Sequence, residues 1–100
     1  MAGMVGGLKS KGAPDGEAKG VFSSALDQFI TKVPEMKGVE YEIESYATQV
    51  VAGINYFFAV KFKHAKGDKR YHVRVYKDLS QNVSMHSYKT AGDSEQLSYF

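Results

Sequence analysis

Apolar and polar side chains follow two different periods along this 100-residue chain. Between Val21 and Val33, apolar residues recur at spacings of three and four, which is typical of an amphipathic α-helix with one buried face. They are Val21, Phe22, Ala25, Leu26, Phe29, Ile30 and Val33. Asp15 is placed to cap the start of this helix, and Pro34 forbids its continuation, so the pattern predicts one helix that ends before residue 34.

After the helix, apolar and polar residues alternate with period two, which indicates half-buried β-strands. The alternation predicts strands over residues 39–48, 54–63, 71–76 and 83–90. Within the first strand the apolar phase slips near residues 44–45, which predicts a β-bulge there. One helix followed by four antiparallel strands is an α+β fold, with one sheet face packed on the helix and the other facing solvent.

The two ends of the chain lack this alternation. Four of the ten glycines fall within residues 1–14, which predicts a flexible N-terminal arm. Residues 97–100 are mostly apolar, so we expect the tail to dock against the fold. Because a chain of this length supports one modest core, residues 1–100 are expected to form a single domain.

The connection between the first two predicted strands is unusual because it is apolar. It consists of Gln49, Val50, Val51, Ala52 and Gly53. Hairpin turns normally use Asn-Gly, Asp-Gly or glycine-rich pairs, whereas adjacent valines prefer extended backbone. Two interpretations remain open: the valines are the buried end of a strand, or they form an exposed apolar edge that presses against a partner.

The order of the strands predicts what lies beside this connection. In an up-and-down meander, alternate connections emerge at the same end of the sheet. The connection at residues 49–53 and the later one at residues 79–82 should therefore lie together, while the polar turn at residues 65–69 lies at the opposite end.

The composition excludes several classes of protein. Hydrophobic content of 43% with 24% charged residues is ordinary for a globular domain, and no apolar run approaches the roughly 20 residues that span a bilayer. The chain has no cysteine, so it has no disulfide, thiolate metal site or cysteine nucleophile. The N-terminus also lacks the long apolar core of a secretory signal, and we therefore expect a cytoplasmic protein.

The candidate catalytic and metal-binding patterns in the sequence are incomplete or have a simpler explanation. Residues 7–12 begin like a phosphate-binding loop, but they continue with Ala-Pro where Lys and Ser or Thr are required. The three histidines, His64, His72 and His86, do not share a metal-binding spacing and are expected to be solvated. Glu40, Glu42 and Glu44 lie on one strand face, where pairing with basic residues of neighbouring strands is the simpler role. We therefore expect neither an enzyme nor a cofactor.

Nucleic-acid binding is the strongest alternative function. The later strands are basic and carry aromatic side chains, a combination that can stack single-stranded bases. However, the aromatic residues of the second strand are needed to cover the helix, and a net charge of +2 attracts phosphate weakly. A purely structural role would need a repeat or a second apolar patch, and the sequence shows neither.

The sequence resembles the cystatins and, within them, the stefins or type 1 cystatins. Residues 49–53 match the Gln-x-Val-x-Gly loop of the family, and residues 54–57 continue it as stefins do. Residues 4–8 are similar to the N-terminal trunk of stefins, and residues 71–76 and 95–100 are similar to a later strand and the C-terminus. Two positions differ, because Ser80 replaces the usual Pro of the second hairpin loop and Val5 stands where Pro commonly precedes the trunk glycines.

The resemblance implies a cystatin-like fold of one helix wrapped by a four- to five-stranded antiparallel sheet. It also implies reversible, tight-binding, competitive inhibition of papain-like cysteine proteases, both cathepsin L-like and cathepsin B-like. The implied protease-binding residues are Val5, Gly6 and Gly7 in the trunk, Gln49, Val50, Val51, Ala52 and Gly53 in the first hairpin, and Leu79 and Ser80 in the second. We expect a monomer that can form a domain-swapped dimer, with no nucleic-acid or membrane partner.

Overall fold

The fold is known from a computed structural model, which describes residues 8–100. In chain order the elements are strand β1 (Lys9–Gly12), helix α1 (Gly16–Lys32), a 3-10 turn (Pro34–Met36), and strands β2 (Tyr41–Val51), β3 (Gly53–Phe62), β4 (Lys69–Lys77) and β5 (Val83–Ala91). Within the described residues the five strands form an antiparallel sheet in chain order, and α1 packs against one face. The predicted α+β architecture is confirmed.

Helix α1 begins and ends where the sequence indicated. The side chain of Asp15 accepts a hydrogen bond of 2.8 Å from the backbone N–H of Ala18, which satisfies one of the unpaired donors of the first turn. At the other end, Pro34 starts a 3-10 turn instead of a further turn of α-helix. No helix within residues 8–100 is long and apolar enough to cross a membrane.

The core lies between α1 and the inner face of the sheet. The rings of Phe22 and Phe58 pack edge to face at 5.3 Å, and those of Phe29 and Phe62 stack at the same distance. The inner faces of β3 and β4 supply the buried residues Tyr56, Phe58, Val60, Phe62, Tyr71, Val73 and Val75. The predicted bulge in β2 is confirmed by a shift of register between Ile43 and Ser45.

Strand β1 was not predicted from the sequence, which placed its residues in the flexible arm. Lys9 pairs with Thr48 and Ser10 with Ala47, so the backbone of this segment adds an edge strand to β2. All four of its residues are exposed. A strand that is exposed on both faces carries no apolar alternation, and the pattern therefore could not reveal it.

The outer face of the sheet is partly covered, which corrects the expectation of a solvated face. Phe57 is fully buried there, because its ring contacts those of Tyr99 and Phe100 at 5.8 and 5.7 Å. The expected docking of the C-terminal tail is thus confirmed. His72 lies on the same face and is 2% exposed, so the prediction that this histidine is solvated was wrong.

The acidic residues in and just before β2 pair with basic residues of other strands: Glu42 and Glu40 with lysines in and just after the adjacent β3, as expected, and Glu44 with an arginine of β4, one strand further. Carboxylate-to-nitrogen distances are 3.9 Å for Glu40 with Lys63, 3.8 Å for Glu42 with Lys61 and 3.1 Å for Glu44 with Arg70. These contacts leave three of the basic residues beside acid partners, which weakens the case for a phosphate-binding sheet.

Candidate functional site

Two connections of the sheet lie side by side at one end of the molecule. The first loop, residues 49–53, is a tight hairpin in which Val51 pairs directly with Gly53 across the turn. The second loop, residues 78–82, follows Lys77, which pairs with Ile54 at the start of β3. The predicted meeting of these two loops is therefore confirmed, and we call this part of the molecule the loop end.

Strand β1 brings the N-terminal part of the chain to the same place. Lys9 pairs with Thr48, so β1 begins at the loop end and runs away from it. The chain preceding Leu8 therefore joins the described residues beside the first loop. The three trunk residues predicted to bind a protease, Val5, Gly6 and Gly7, lie outside the described residues.

Exposed apolar side chains are concentrated at the loop end. Among the described residues, the large hydrophobic side chains that are exposed are Val50 at 71%, Val51 at 46%, Leu79 at 77% and Tyr99 at 62%. Three of these four lie on the two loops. The interpretation of the valines as a buried strand end was thus wrong, and clustered exposed apolar groups favour a protein-binding edge.

The first loop is held by contacts that its sequence does not indicate. The side-chain oxygen of Gln49 accepts a 2.9 Å hydrogen bond from the side-chain amide of Asn55, so Gln49 braces the two strands and is half-buried. The hydroxyl of Tyr76 donates to the carbonyl oxygen of Ala52 at the tip. Gly53 has φ +110°, a conformation that strongly favours glycine. The result is a fixed turn that presents Val50 and Val51 to solvent.

The second loop is organised around the carboxylate of Asp78. This carboxylate accepts hydrogen bonds of 2.8 and 2.9 Å from the backbone N–H groups of Ser80 and Asn82, and one of 3.2 Å from the side chain of Asn82. These bonds, led by the one from the backbone of Asn82, lower the pKa of Asp78. The hydrogen bond to Asp78 therefore fixes the backbone of Ser80, which stands where the stefins that this sequence resembles usually have proline. The adjacent Leu79 projects into solvent.

An ion pair links the loop end to the helix. The Nζ of Lys77, at the end of β4, lies 3.5 Å from the carboxylate of Glu17 in the first turn of α1. The pair ties the strand that leads into the second loop to the body of the domain. The strands that lead into the two loops, β2 and β4, also carry the core residues Tyr46, Val73 and Val75.

The exposed residues of the site were predicted from the sequence, as were Gln49 and Gly53, but Tyr76 and Asp78, which also hold the loops, were not. Tyr76 was part of the predicted strand over residues 71–76 and of the aromatic set weighed for nucleic-acid binding, but not of the predicted protease-binding site, and Asp78 was not predicted to have a role. The spacing of Asp78, Ser80 and Asn82 did carry a signal, because Asp, Ser and Asn favour turns by bonding to nearby backbone N–H groups. Nothing in the sequence around Tyr76 indicated its contact with the first loop, since the two are 24 residues apart.

The described part of the loop end offers an apolar contact surface. Within residues 8–100, no three His, Asp or Glu residues lie close enough together to hold a metal ion. The large side chains that project are aliphatic, while the polar side chains of Gln49 and Asp78 hold the loops through hydrogen bonds. Two prearranged loops with exposed apolar side chains favour a protein-binding surface.

Comparison with known proteins assigns this domain to a family. Residues 13–95 match the family model of the cystatin domain. The chain is 41% identical over 93 residues to Cystatin-A1 of Dictyostelium discoideum, covering 92% of each protein. It is 35% identical over 80 residues to Cystatin-A of Mus musculus, covering 74% of this chain and 79% of that protein. With Cystatin-B of Oplegnathus fasciatus it shares 32% over 82 residues, covering 79% and 75%.

The chain belongs to the cystatin family and, within it, to the stefin type. Members of this family are protease inhibitors and not enzymes. Family membership therefore implies cysteine-protease inhibition for this chain.

Proposed function

We propose that the protein is a reversible, tight-binding, competitive inhibitor of papain-like cysteine proteases that inserts its loop end into the active-site cleft. The observation that carries this proposal is the exposure of Val50 and Leu79 on adjacent loops, 71% and 77% respectively. The proposed contacts are Gln49, Val50, Val51, Ala52 and Gly53 in the first loop and Leu79 and Ser80 in the second. Val5, Gly6 and Gly7 complete the proposed site on the strength of the sequence resemblance.

The size of the exposed apolar groups is consistent with tight binding. Complete burial of a fully exposed Val or Leu side chain contributes about 1.5–3 kcal/mol. Since Val50, Val51 and Leu79 are 71%, 46% and 77% exposed, together they would contribute roughly 3–6 kcal/mol. A nanomolar complex needs about 12 kcal/mol. The trunk and backbone hydrogen bonds would supply the remainder. Because the two loops are already held in place, little conformational entropy is lost when they dock.

The geometry of the first loop also explains how an inhibitor in a protease cleft would escape cleavage. A substrate presents an extended peptide to the catalytic cysteine. Here the peptide turns sharply, with Val51 paired to Gly53 and the carbonyl oxygen of Ala52 bound by Tyr76. In the trunk, Gly6 would let the backbone approach the catalytic cysteine closely without placing a scissile bond there.

Charged substitutions in the loops test the proposal directly. Val50→Asp and Leu79→Asp should each raise the inhibition constant for papain by about 30-fold or more, since each removes about 2 kcal/mol or more of apolar burial. Tyr99→Asp is a matched control, because Tyr99 is also an exposed apolar residue but lies on the outer sheet face. Inhibition by wild type should be competitive with substrate. Unchanged inhibition by both loop variants would contradict the proposal.

The proposed targets include cathepsin L-like and cathepsin B-like enzymes. We expect weaker inhibition of the cathepsin B-like enzymes, whose cleft is partly occluded. Equal inhibition constants for the two enzyme classes would contradict this expectation.

We also propose a cytoplasmic location, which is supported by the lack of cysteine and by the stefin-type relatives. Recovery of the endogenous protein outside the cytosolic fraction would contradict this proposal.

A further inference from the structure

Tyr76 joins the two loops although it belongs to neither. It lies on β4 two residues before the second loop, with Asn55 of β3 and Ser84 of β5 as its neighbours across the sheet. Its hydroxyl donates a hydrogen bond to the carbonyl oxygen of Ala52, at the tip of the first loop. A side chain from the strand that enters the second loop therefore holds the tip of the first.

The ring of Tyr76, like its hydroxyl, packs closely against neighbouring residues. A β-carbon placed on Gly53 would lie 2.8 Å from the hydroxyl oxygen of Tyr76 and 3.0 Å from its Cε1 atom. Next to it on β5, the ring of His86 lies 5.2 Å from the ring of Tyr76. The tyrosine is thus held between the backbone of the first loop and a side chain of β5, which fixes the direction of its hydroxyl.

The tip of the first loop needs such an external contact because the residues between Gln49 and Gly53 do not stabilise a turn. Val50 and Val51 prefer extended backbone, and Ala52 has no polar side-chain group that could bond to the turn. Because Ala52 is exposed, water can replace the hydroxyl of Tyr76 as the partner of its carbonyl. Loss of the hydroxyl would therefore leave the fold almost as stable, while the tip would sample more conformations.

We propose that Tyr76 is a positioning residue of the inhibitory site, which orders the first loop for docking without touching the protease. The inference rests on the proposed function and adds a residue to it. Tyr76→Phe removes the hydroxyl and keeps the ring. Since a single hydrogen bond is lost and the loop must be reordered on binding, the inhibition constant for papain should rise about 3- to 10-fold. The midpoint of thermal unfolding should stay near the wild-type value.

A double-mutant cycle separates positioning from a general structural role. In a protein that already carries Val50→Ala and Val51→Ala, the first loop contributes little, so adding Tyr76→Phe should change the inhibition constant by less than about 2-fold. In a Leu79→Ala background, which spares the first loop, the full effect should persist. Tyr99→Phe is the control for hydroxyl removal and should leave the inhibition constant unchanged. Equal effects of Tyr76→Phe in both backgrounds would overturn the inference.

Hydrogen exchange of the unbound protein gives a second, protease-independent readout. Backbone amides of residues 50–54 should exchange faster in Tyr76→Phe than in wild type, while those of the β3–β4 turn should be unchanged. If wild type inhibits papain but Tyr76→Phe matches it in affinity and in exchange, the inference fails and the proposed function stands. If wild type does not inhibit papain at all, both fail, even where the exchange result is as expected.

Discussion

Single residues at the loop end show how the first loop depends on backbone geometry. Gly53 combines φ +110° with a close approach, because a β-carbon there would lie 2.6 Å from the carbonyl oxygen of Lys77. Backbone atoms of a paired strand move little, so Gly53→Ala should distort the first loop. We expect a loss of about 1–3 kcal/mol in the free energy of unfolding together with weaker papain inhibition.

A matched control for this change exists at the opposite end of the sheet. Gly67, in the β3–β4 turn, also has positive φ, at +118°, but nothing lies within 4 Å of its would-be β-carbon. Gly67→Ala should therefore lower stability through backbone strain alone and leave inhibition unchanged. Denaturant unfolding and inhibition assays of both variants check this. Weakened inhibition by Gly67→Ala, or wild-type inhibition by Gly53→Ala, would be the opposite result.

Gly6 gives a prediction that rests on the sequence resemblance, since it lies outside the described residues. Gly6→Arg would add bulk where the trunk backbone is proposed to lie against the protease cleft. The affinity for papain should drop while the midpoint of thermal unfolding stays near wild type. A comparable loss of stability would instead assign Gly6 to the fold, and unchanged inhibition would remove the trunk from the site.

His72 predicts how stability depends on pH. Its burial on the outer sheet face, next to Glu95 and Lys89, lowers its pKa from 6.5, with Glu95 opposing and Lys89 adding to this shift. Below pH 6.5 the unfolded chain therefore binds a proton that the folded protein does not. As the pH is lowered from there, the free energy of unfolding falls until the pH passes the lowered pKa of the folded protein. His72→Phe should flatten this dependence between pH 7.5 and pH 5 in denaturant unfolding. An unchanged slope would mean that other groups cause it.

At the scale of elements, the second loop shows how a turn can be ordered without proline. The carboxylate of Asp78 binds two backbone N–H groups of its own loop, and these bonds lower its pKa. Their stabilising effect is present above the unfolded pKa of about 3.8 and is lost as the pH falls through the lower folded pKa. The second loop should therefore remain ordered at the mildly acidic pH at which papain is assayed.

Removal of this carboxylate tests the role of the second loop. Asp78→Ala should weaken papain inhibition several-fold at pH 6, because Leu79 and Ser80 would then be ordered only on binding. Asp68→Ala, in the β3–β4 turn at the other end of the sheet, is the control and should have no effect. Wild-type inhibition by Asp78→Ala would show that the second loop contributes little to the complex.

The elements also show which features a sequence pattern can reveal. The stripe around Phe22 and Phe29 predicted α1, and the phase slip predicted the bulge in β2, because burial imposes a period on the sequence. Strand β1 was not predicted, because it is exposed and is held only by pairing of its backbone with β2. At the site, Val50 and Val51 stood out as apolar residues in a turn. Tyr76 did not, because its contact with Ala52 joins distant parts of the chain and leaves no periodic trace.

At the scale of the whole molecule, the first loop is also a proposed hinge. Strands β2 and β3 pair up to Val51 and Gly53, with Ala52 alone between them, and the valines prefer extended backbone. Straightening the turn would let both strands continue as one, so that two chains could exchange the helix with its preceding and following strands. In such a dimer the first loop would no longer exist as a turn, so the dimer should not inhibit papain.

Size-exclusion chromatography tests the hinge after heating to partial unfolding and recooling. We expect a dimer fraction that is inactive against papain beside a monomer fraction that retains activity. A dimer that inhibits papain as strongly as the monomer would show that the first loop is not the hinge.

The central claim concerns the whole molecule as an inhibitor, and a titration of active papain with the wild-type protein tests it most directly. Residual papain activity should fall linearly to zero at one inhibitor per active enzyme when both are well above a nanomolar dissociation constant. Mass spectrometry of the mixture should then show the inhibitor uncleaved at 100 residues. Full papain activity at micromolar inhibitor, or cleavage of the chain at the first loop, would contradict the account.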